Sequence, residues 1–253
     1  MKDGAPMINF AHRGASGDYP ENTLLAFSQA IALGATAIEL DVHKSKDNYL
    51  VVIHDEDIER TFKGQGKVCD FTLQELQSFK CRRVLFEELT SCRVPTLDSV
   101  LSVVASYPVL INIELKTNVI QYPDIEQDVI ALVSAYKLEK RVLISSFHAP
   151  SILKCKELDP TLKTGFICGK KRDDLIEVSK SLNVDAIHPN VKFVTEALVQ
   201  QLHEAGFQVN VYGVNAPKKM RKLIEWDVDG IFTDVPALLH EILTEQNLKI
   251  IEE

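Results

Sequence analysis

Short apolar stretches alternate with longer amphipathic ones along most of the chain, and the pair recurs eight times. The apolar stretches cover residues 7–11, 37–42, 109–115, 142–146, 163–167, 186–188, 208–214 and 230–233. Apolar runs of this length between amphipathic segments read as parallel strands buried on both faces. The amphipathic stretches read as helices. One opens at Glu21-Asn22-Thr23 and carries Leu24, Phe27, Ile31 and Leu33; another opens at Pro95-Thr96-Leu97-Asp98 and carries Val100, Leu101 and Val104. Six more cover residues 124–136, 150–158, 172–182, 195–204, 217–226 and 236–246. Eight strand–helix units predict an α/β fold in which the sheet closes on itself, a (β/α)8 TIM barrel. Such a barrel takes about 250 residues, and this chain has 253. No Gly-rich dinucleotide fingerprint follows the first strand, which weighs against an open nucleotide-binding sheet.

One stretch breaks the alternation. Residues 56–94 hold Lys63-Gly64-Gln65-Gly66-Lys67, two short helix-like pieces and few long apolar runs. They are expected to form a small insertion after the second strand, inside a single domain spanning residues 1–253. Phe62, Phe71, Phe79 and Phe86 lie in it and are expected to form its core.

Charge and cysteine content exclude some functions. There are 36 acidic against 28 basic residues, a net charge of −8 spread along the chain. That argues against nucleic acid as a partner but leaves room for a locally basic pocket. Five cysteines, an odd number without regular spacing, suit a reducing compartment such as the cytoplasm. Residues 1–9 contain no apolar signal core, and no run of about 18 apolar residues occurs. Neither export nor a membrane span is expected.

The polar residues gather where a barrel places its chemistry, at the C-terminal ends of strands. His12 and Arg13 end the first strand. Glu39 and Asp41 lie two apart late in the second, so both project from one face. Glu114 and Lys116 repeat that spacing on the third. Ser146, His148, His188, Asn215 and Asp234 follow later strands. Between Val42 and His54 a hairpin is predicted, with Asp47-Asn48 as a two-residue turn. Paired residue numbers then sum to 95, which sets Asp41 opposite His54.

The first three strands are neighbours in a barrel, so Glu39, Asp41 and Glu114 should converge. Three carboxylates are a hard oxygen set, suited to Mg2+ or Ca2+ rather than zinc. The plainer alternative is ion pairing, Glu39 with Arg13 and Glu114 with Lys116. So much like charge on adjacent strands is costly without a divalent ion, which favours the metal. His12 and His54 beside it suit acid and base roles near neutral pH. Arg13 and Lys116 offer donors to an anion such as phosphate. His148 and His188 are expected at most to line the pocket. His43, His203 and His240 are expected at the surface.

His12-Arg13-Gly14, Pro20-Glu21-Asn22-Thr23, Glu39-Leu40-Asp41-Val42 and His54-Asp55 follow one another in an order that resembles the signature of glycerophosphodiester phosphodiesterases. Arg60-Thr61, Pro95-Thr96-Leu97, Glu114-Leu115-Lys116 and the 229–236 segment Asp-Gly-Ile-Phe-Thr-Asp-Val-Pro extend the resemblance over nearly the whole chain. It implies a barrel with a small insertion after its second strand. It implies a divalent metal on Glu39, Asp41 and Glu114, His12 and His54 as the acid/base pair, and Arg13 and Lys116 on phosphate. Glu21 and Asn22 would support the loop. The implied reaction is metal-dependent hydrolysis of a small-molecule glycerophosphodiester to sn-glycerol 3-phosphate and an alcohol. Two departures stand out: Asp47-Asn48 where the family has Asp-Gly, and Tyr212-Gly213-Val214-Asn215 where it has Trp-Thr-Val-Asn. Three rivals follow. A lysophospholipase D-like enzyme would need an apolar groove or lid. A silent phosphodiester-binding protein would lack a ligand or a histidine, and none is missing. A barrel aldolase or isomerase would need a carbon-acid base, which the paired histidines fit poorly.

Overall fold

A computed structural model describes residues 6–252, so the start of the 1–9 segment lies outside the described residues. The strands are β1 (Ile8–His12), β2 (Ala37–Lys44), β3 (Leu50–Val52), β4 (Leu110–Leu115), β5 (Val142–Ser146), β6 (Lys163–Cys168), β7 (Ala186–Pro189), β8 (Gln208–Val211) and β9 (Gly230–Thr233). All except β3 pair in parallel, in the order β1-β9-β8-β7-β6-β5-β4-β2, and β2 returns to β1. The sheet is therefore a closed eight-stranded barrel, as the alternation predicts. Helices α1 (Leu24–Ala32), α2 (Leu73–Ser78), α3 (Leu97–Val104), α4 (Ile125–Ala135), α5 (Ala149–Leu158), α6 (Leu175–Ser181), α7 (Glu196–Glu204), α8 (Pro217–Glu225) and α9 (Pro236–Glu252) connect the strands. Among the described residues, no helix is long and apolar enough to cross a membrane.

The strand period of two sorts the side chains. Ile38, Leu40 and Val42 of β2 pack outward with Ile111, Ile113 and Leu115 of β4, against Leu97, Val100 and Leu101 of α3. Fully burying each such side chain contributes about 1.5–3 kcal/mol. Phe10 and Phe232 stack inside the barrel with ring centroids 4.3 Å apart, and His188 lies 5.0 Å from Phe232. Helix starts are set by threonine. Thr23, Thr72, Thr96 and Thr195 each accept a backbone N–H of the first turn, and Thr72 with Glu75 completes a capping box.

The hairpin differs from its predicted register. Val42 pairs with Val52, His43 with Val51 and Lys44 with Leu50, so the paired numbers sum to 94. The Ser45 N–H donates to the Tyr49 carbonyl at 3.0 Å, leaving three residues in the loop, and Asn48 takes φ +65°. This is a three-residue connection with its last residue left-handed rather than a two-residue turn. Asp41 consequently faces Ile53, whose N–H donates to the Asp41 carbonyl at 3.1 Å. His54 lies one residue past the ladder and is placed by the bend that follows.

Residues 56–94 contain α2 and three short 3-10 turns. Ile58, Phe62, Val68, Leu76, Cys81 and Cys92 are buried together, with Phe71, Phe79 and Phe86 packed on them. The phenylalanines thus serve this stretch's own core, as expected.

The chain leaves β1 by a sharp turn in which Arg13 and Gly14 are both left-handed, φ +58° and +80°. A Cβ on Gly14 would meet the Ala26 backbone carbon of α1 at 2.6 Å. Gly14→Ala therefore combines an unfavourable φ with a clash that backbone cannot relieve, and should lower unfolding free energy by about 2–4 kcal/mol. Denaturant titration measures it. A loss under about 0.5 kcal/mol, the range of an indifferent surface change, would contradict the packing described here.

Candidate active site

Register brings the acidic residues together. His12 of β1 pairs with Glu39 of β2, and Asp41 of β2 pairs with Glu114 of β4. Parallel partners point the same way, so the side chains meet inside the barrel near its C-terminal mouth. Glu39, Asp41 and Glu114 are all buried, and each offers an oxygen within 4.8 Å of the others.

Their environment is electrically unequal. Burial first, then the charges of Asp41 and Glu114, push the Glu39 carboxyl well above the usual carboxylate range. Burial also raises Glu114, with Asp41 adding to it. Burial opposes the charge on Asp41 too, yet Lys116, Arg13 and His54 together hold it below the ordinary value. Lys116 Nζ is 2.7 Å from Glu114 and 3.7 Å from Asp41. Arg13 Nε is 3.4 Å from Asp41, its Nη1 donates to Glu21 at 2.9 Å, and its backbone N–H donates to Glu39 Oε2 at 2.8 Å. Asn22 Nδ2 donates to Asp41 Oδ2 at 2.8 Å. The other oxygen, Asp41 Oδ1, is buried without a hydrogen-bond donor. A buried carboxylate oxygen with no hydrogen-bond donor, beside two further carboxylates, is a donor set that fits a hard divalent cation. The Lys116–Glu114 pair matches the plain-ion-pair alternative, whereas the Arg13 side chain pairs with Glu21 and Asp41 rather than Glu39.

Both predicted histidines face the same small cavity, of about 80 Å3. Arg13, Glu39 and Glu114 line its charged side, and Phe147, Ile167, Tyr212 and Phe232 its apolar side. Each imidazole is tied through Nδ1 to a carboxylate: His12 to Asp234 at 2.7 Å and His54 to Asp55 at 2.6 Å. A carboxylate on Nδ1 fixes the tautomer and leaves Nε2 for proton transfer. Asp234 is itself held by Ser16 and Asn215. Burial works against its charge, but His12, Asn215 and Ser16 together outweigh that and bring it down to about 2. Asp55 accepts further from Arg60 Nε at 2.5 Å.

Sequence reasoning placed Asp234 at a strand end without giving it a partner. Barrel closure was the available signal, since the last strand must lie beside the first. His43 is a correction: it is fully buried, not at the surface. Its Nδ1 accepts from Tyr122 OH at 2.8 Å and its Nε2–H donates to the His54 carbonyl at 3.1 Å. The count of two that pairs Glu39 with Asp41 continues to residue 43, and could have flagged it. His203 is also part-buried, 2.9 Å from Asp229, whereas His240 is exposed as expected. His188 lines the cavity and accepts from Asn210 Nδ2 at 3.2 Å. His148 lies beside Ser151, outside the cavity lining.

A buried carboxylate cluster flanked by two carboxylate-braced imidazoles, at the mouth of a (β/α)8 barrel, is equipment for cleaving phosphate esters. The chain from residue 12 to 238 matches the glycerophosphoryl diester phosphodiesterase family. It is 38% identical to a glycerophosphodiester phosphodiesterase of Caldanaerobacter subterraneus over 234 residues, covering 90% of this chain and 94% of that one. It is also 38% identical to a glycerophosphodiester phosphodiesterase of Bacillus altitudinis over 230 residues, with the same coverage. Its fold superposes with a TM-score of 0.83, at 26% identity, on an Oleispira antarctica phosphodiesterase solved with the product sn-glycerol-3-phosphate, covering 94% of this chain and 97% of that one. The chain belongs to the glycerophosphoryl diester phosphodiesterase family and is a phosphoric diester hydrolase.

Burial depresses the His188 imidazole to about 3. Below pH 6.5 the unfolded chain takes up a proton that folded His188 refuses, so stability falls as pH drops through the window from 6.5 towards 3. The His188 contribution between pH 7 and 5 is a loss of about 2 kcal/mol. His188→Gln should flatten the dependence of unfolding free energy on pH by that amount. Parallel curves for the two proteins would show that His188 is not held neutral.

Proposed function

We propose that the protein hydrolyses small glycerophosphodiesters to sn-glycerol 3-phosphate and an alcohol, with a divalent cation, Mg2+ or Ca2+, on Glu39, Asp41 and Glu114 and with His12 and His54 as the acid/base pair. The observation that carries this reading is the convergence of three carboxylates with two imidazoles whose Nδ1 atoms are already engaged. A cation held by Glu39, Asp41 and Glu114 would supply positive charge to offset that of the phosphate. Every other part of the reaction falls to the chain's own side chains.

Arg13 and Lys116 border the carboxylates and add positive charge where the phosphate must sit. One histidine takes the proton from the attacking hydroxyl through Nε2, and the other delivers a proton to the departing alkoxide. Asp55 and Asp234 stabilise whichever ring is cationic at each step. Phe147 and Tyr212, edge to face at 6.3 Å, offer the alcohol end an apolar wall. The product seen in the Oleispira antarctica relative is the one this reading assigns here. A single domain with residues 56–94 as its insertion, working in the cytoplasm, accords with five free thiols.

Turnover of glycerophosphocholine by metal-loaded protein, read as release of sn-glycerol 3-phosphate, tests the proposal. His12→Ala and His54→Ala should each lower kcat by about 10²–10⁴ with folding intact, and near-normal turnover in either would refute its role. Glu39→Gln should raise the Mg2+ or Ca2+ concentration for half-maximal activity by roughly tenfold or more. An unchanged metal titration would remove Glu39 from the ligand set.

A further inference from the structure

We infer that Arg60, which lies in the 56–94 stretch and not on the barrel, is a positioning residue that fixes the His54 ring relative to the Arg13 guanidinium. The inference rests on the roles proposed above for those two residues. Arg60 Nε donates to Asp55 Oδ2 at 2.5 Å, Nη1 to Glu21 Oε2 at 2.6 Å and Nη2 to Glu21 Oε1 at 2.8 Å. Asp55 uses its other oxygen on His54, and Glu21 Oε1 also receives Arg13 Nη1 at 2.9 Å. One planar guanidinium therefore bridges two carboxylates, each of which grips a residue of the site.

Arg60 is a poor candidate for holding an anion itself. It does line a groove of about 220 Å3 with Arg82 and Arg83. Three of its five N–H groups, however, already face two carboxylates, which neutralise its charge towards an incoming phosphate. Arg82 and Arg83 donate to the backbone carbonyls of Glu59 and of Ser16 and Gly17. Each cation of this groove thus already makes at least one internal bond.

The fork also explains why arginine stands here. A bidentate grip on Glu21 plus a third bond to Asp55 needs three N–H groups in a rigid plane, which the rotating ammonium of lysine cannot reproduce. His54 sits beyond the end of β3, where the ladder no longer fixes it. Without Arg60, Asp55 keeps its bond to the ring but loses its own anchor. A displacement of about 1 Å at such a group costs about 10²-fold in rate.

The experiment is steady-state kinetics of the full chain with saturating Mg2+ and glycerophosphocholine. The variants are Arg60→Ala, Arg60→Lys, Asp55→Asn, the Arg60→Ala/Asp55→Asn double and His54→Ala. Arg60→Ala should lower kcat by about 10–10²-fold, and Arg60→Lys should restore only part of it. Low, non-denaturing guanidinium should raise kcat of Arg60→Ala and leave Arg60→Lys unmoved, which a merely structural role would not produce. The double variant should lose less than the product of the two single losses, because Arg60 reaches His54 through Asp55. Should Arg60→Ala fail to fold, Arg60→Gln carries the same comparison. Wild-type kcat in the Arg60 variants, or losses that multiply in the double, overturns the inference. A dead His54→Ala beside an unaffected Arg60→Ala overturns this inference alone, whereas an active His54→Ala overturns the proposed function itself.

Discussion

Three carboxylates share one buried corner of this barrel, and most of the polar architecture around them compensates that fact. Two carboxylates ionised about 4 Å apart repel by about 4 kcal/mol even at an effective dielectric of 20. Glu39, Asp41 and Glu114 are brought within 4.8 Å by strand register alone. Arg13 and Lys116 lean on Asp41, Asn22 donates to it, and the Arg13 N–H reaches Glu39. The left-handed backbone at Arg13 and Asn22 aims these groups. Strained φ at two adjacent turns is tolerated because each turn delivers a donor to the same charge cluster. Even so, one Asp41 oxygen lacks a hydrogen-bond donor, and the protein's own cations leave Glu39 far from a normal carboxylate.

Much of this was legible in the sequence, for a physical reason. Strands covered on both faces must be apolar outside and can carry polar groups only where they line the interior. The few polar residues in the runs at Glu39, Asp41 and Glu114 therefore announced themselves. Barrel geometry then made three consecutive strands neighbours. What was not legible depended on one-residue differences or on closure. Asn48 suits both a two-residue and a three-residue loop, and choosing the wrong one shifted the register by one. His43 resembled an exposed hairpin residue because nothing local revealed that Tyr122, 79 positions on, would cover it. Asp234 stands 222 residues from His12, and only β9 pairing with β1 joins them.

The carboxylates and the two histidines are built on different supports. The carboxylates ride on β2 and β4, in mid-ladder, where backbone hydrogen bonds on both sides fix them. His12 ends β1 and still has a ladder partner in Glu39. His54 has none. It follows a three-residue strand that pairs on one side with β2. Its place is secured by side chains instead: His43 on its carbonyl, Asp55 on its ring and Arg60 on Asp55.

That difference gives the 56–94 stretch a reason to exist beyond covering the barrel. A proton-transfer group must be held within a few tenths of an ångström of its target, and loops do that poorly unless other bonds immobilise them. Arg60 can reach both Asp55 and Glu21 because the chain after His54 folds back over the loop that follows β1, and Arg83 donates to that same loop at Ser16 and Gly17. The core of Ile58, Phe62, Leu76 and Cys92 keeps the stretch rigid enough to serve as a bracket. The barrel supplies the acidic corner. Arg60 of the 56–94 stretch bonds the carboxylate that grips the second imidazole, and both imidazoles face the cavity although only one of them sits on a barrel strand.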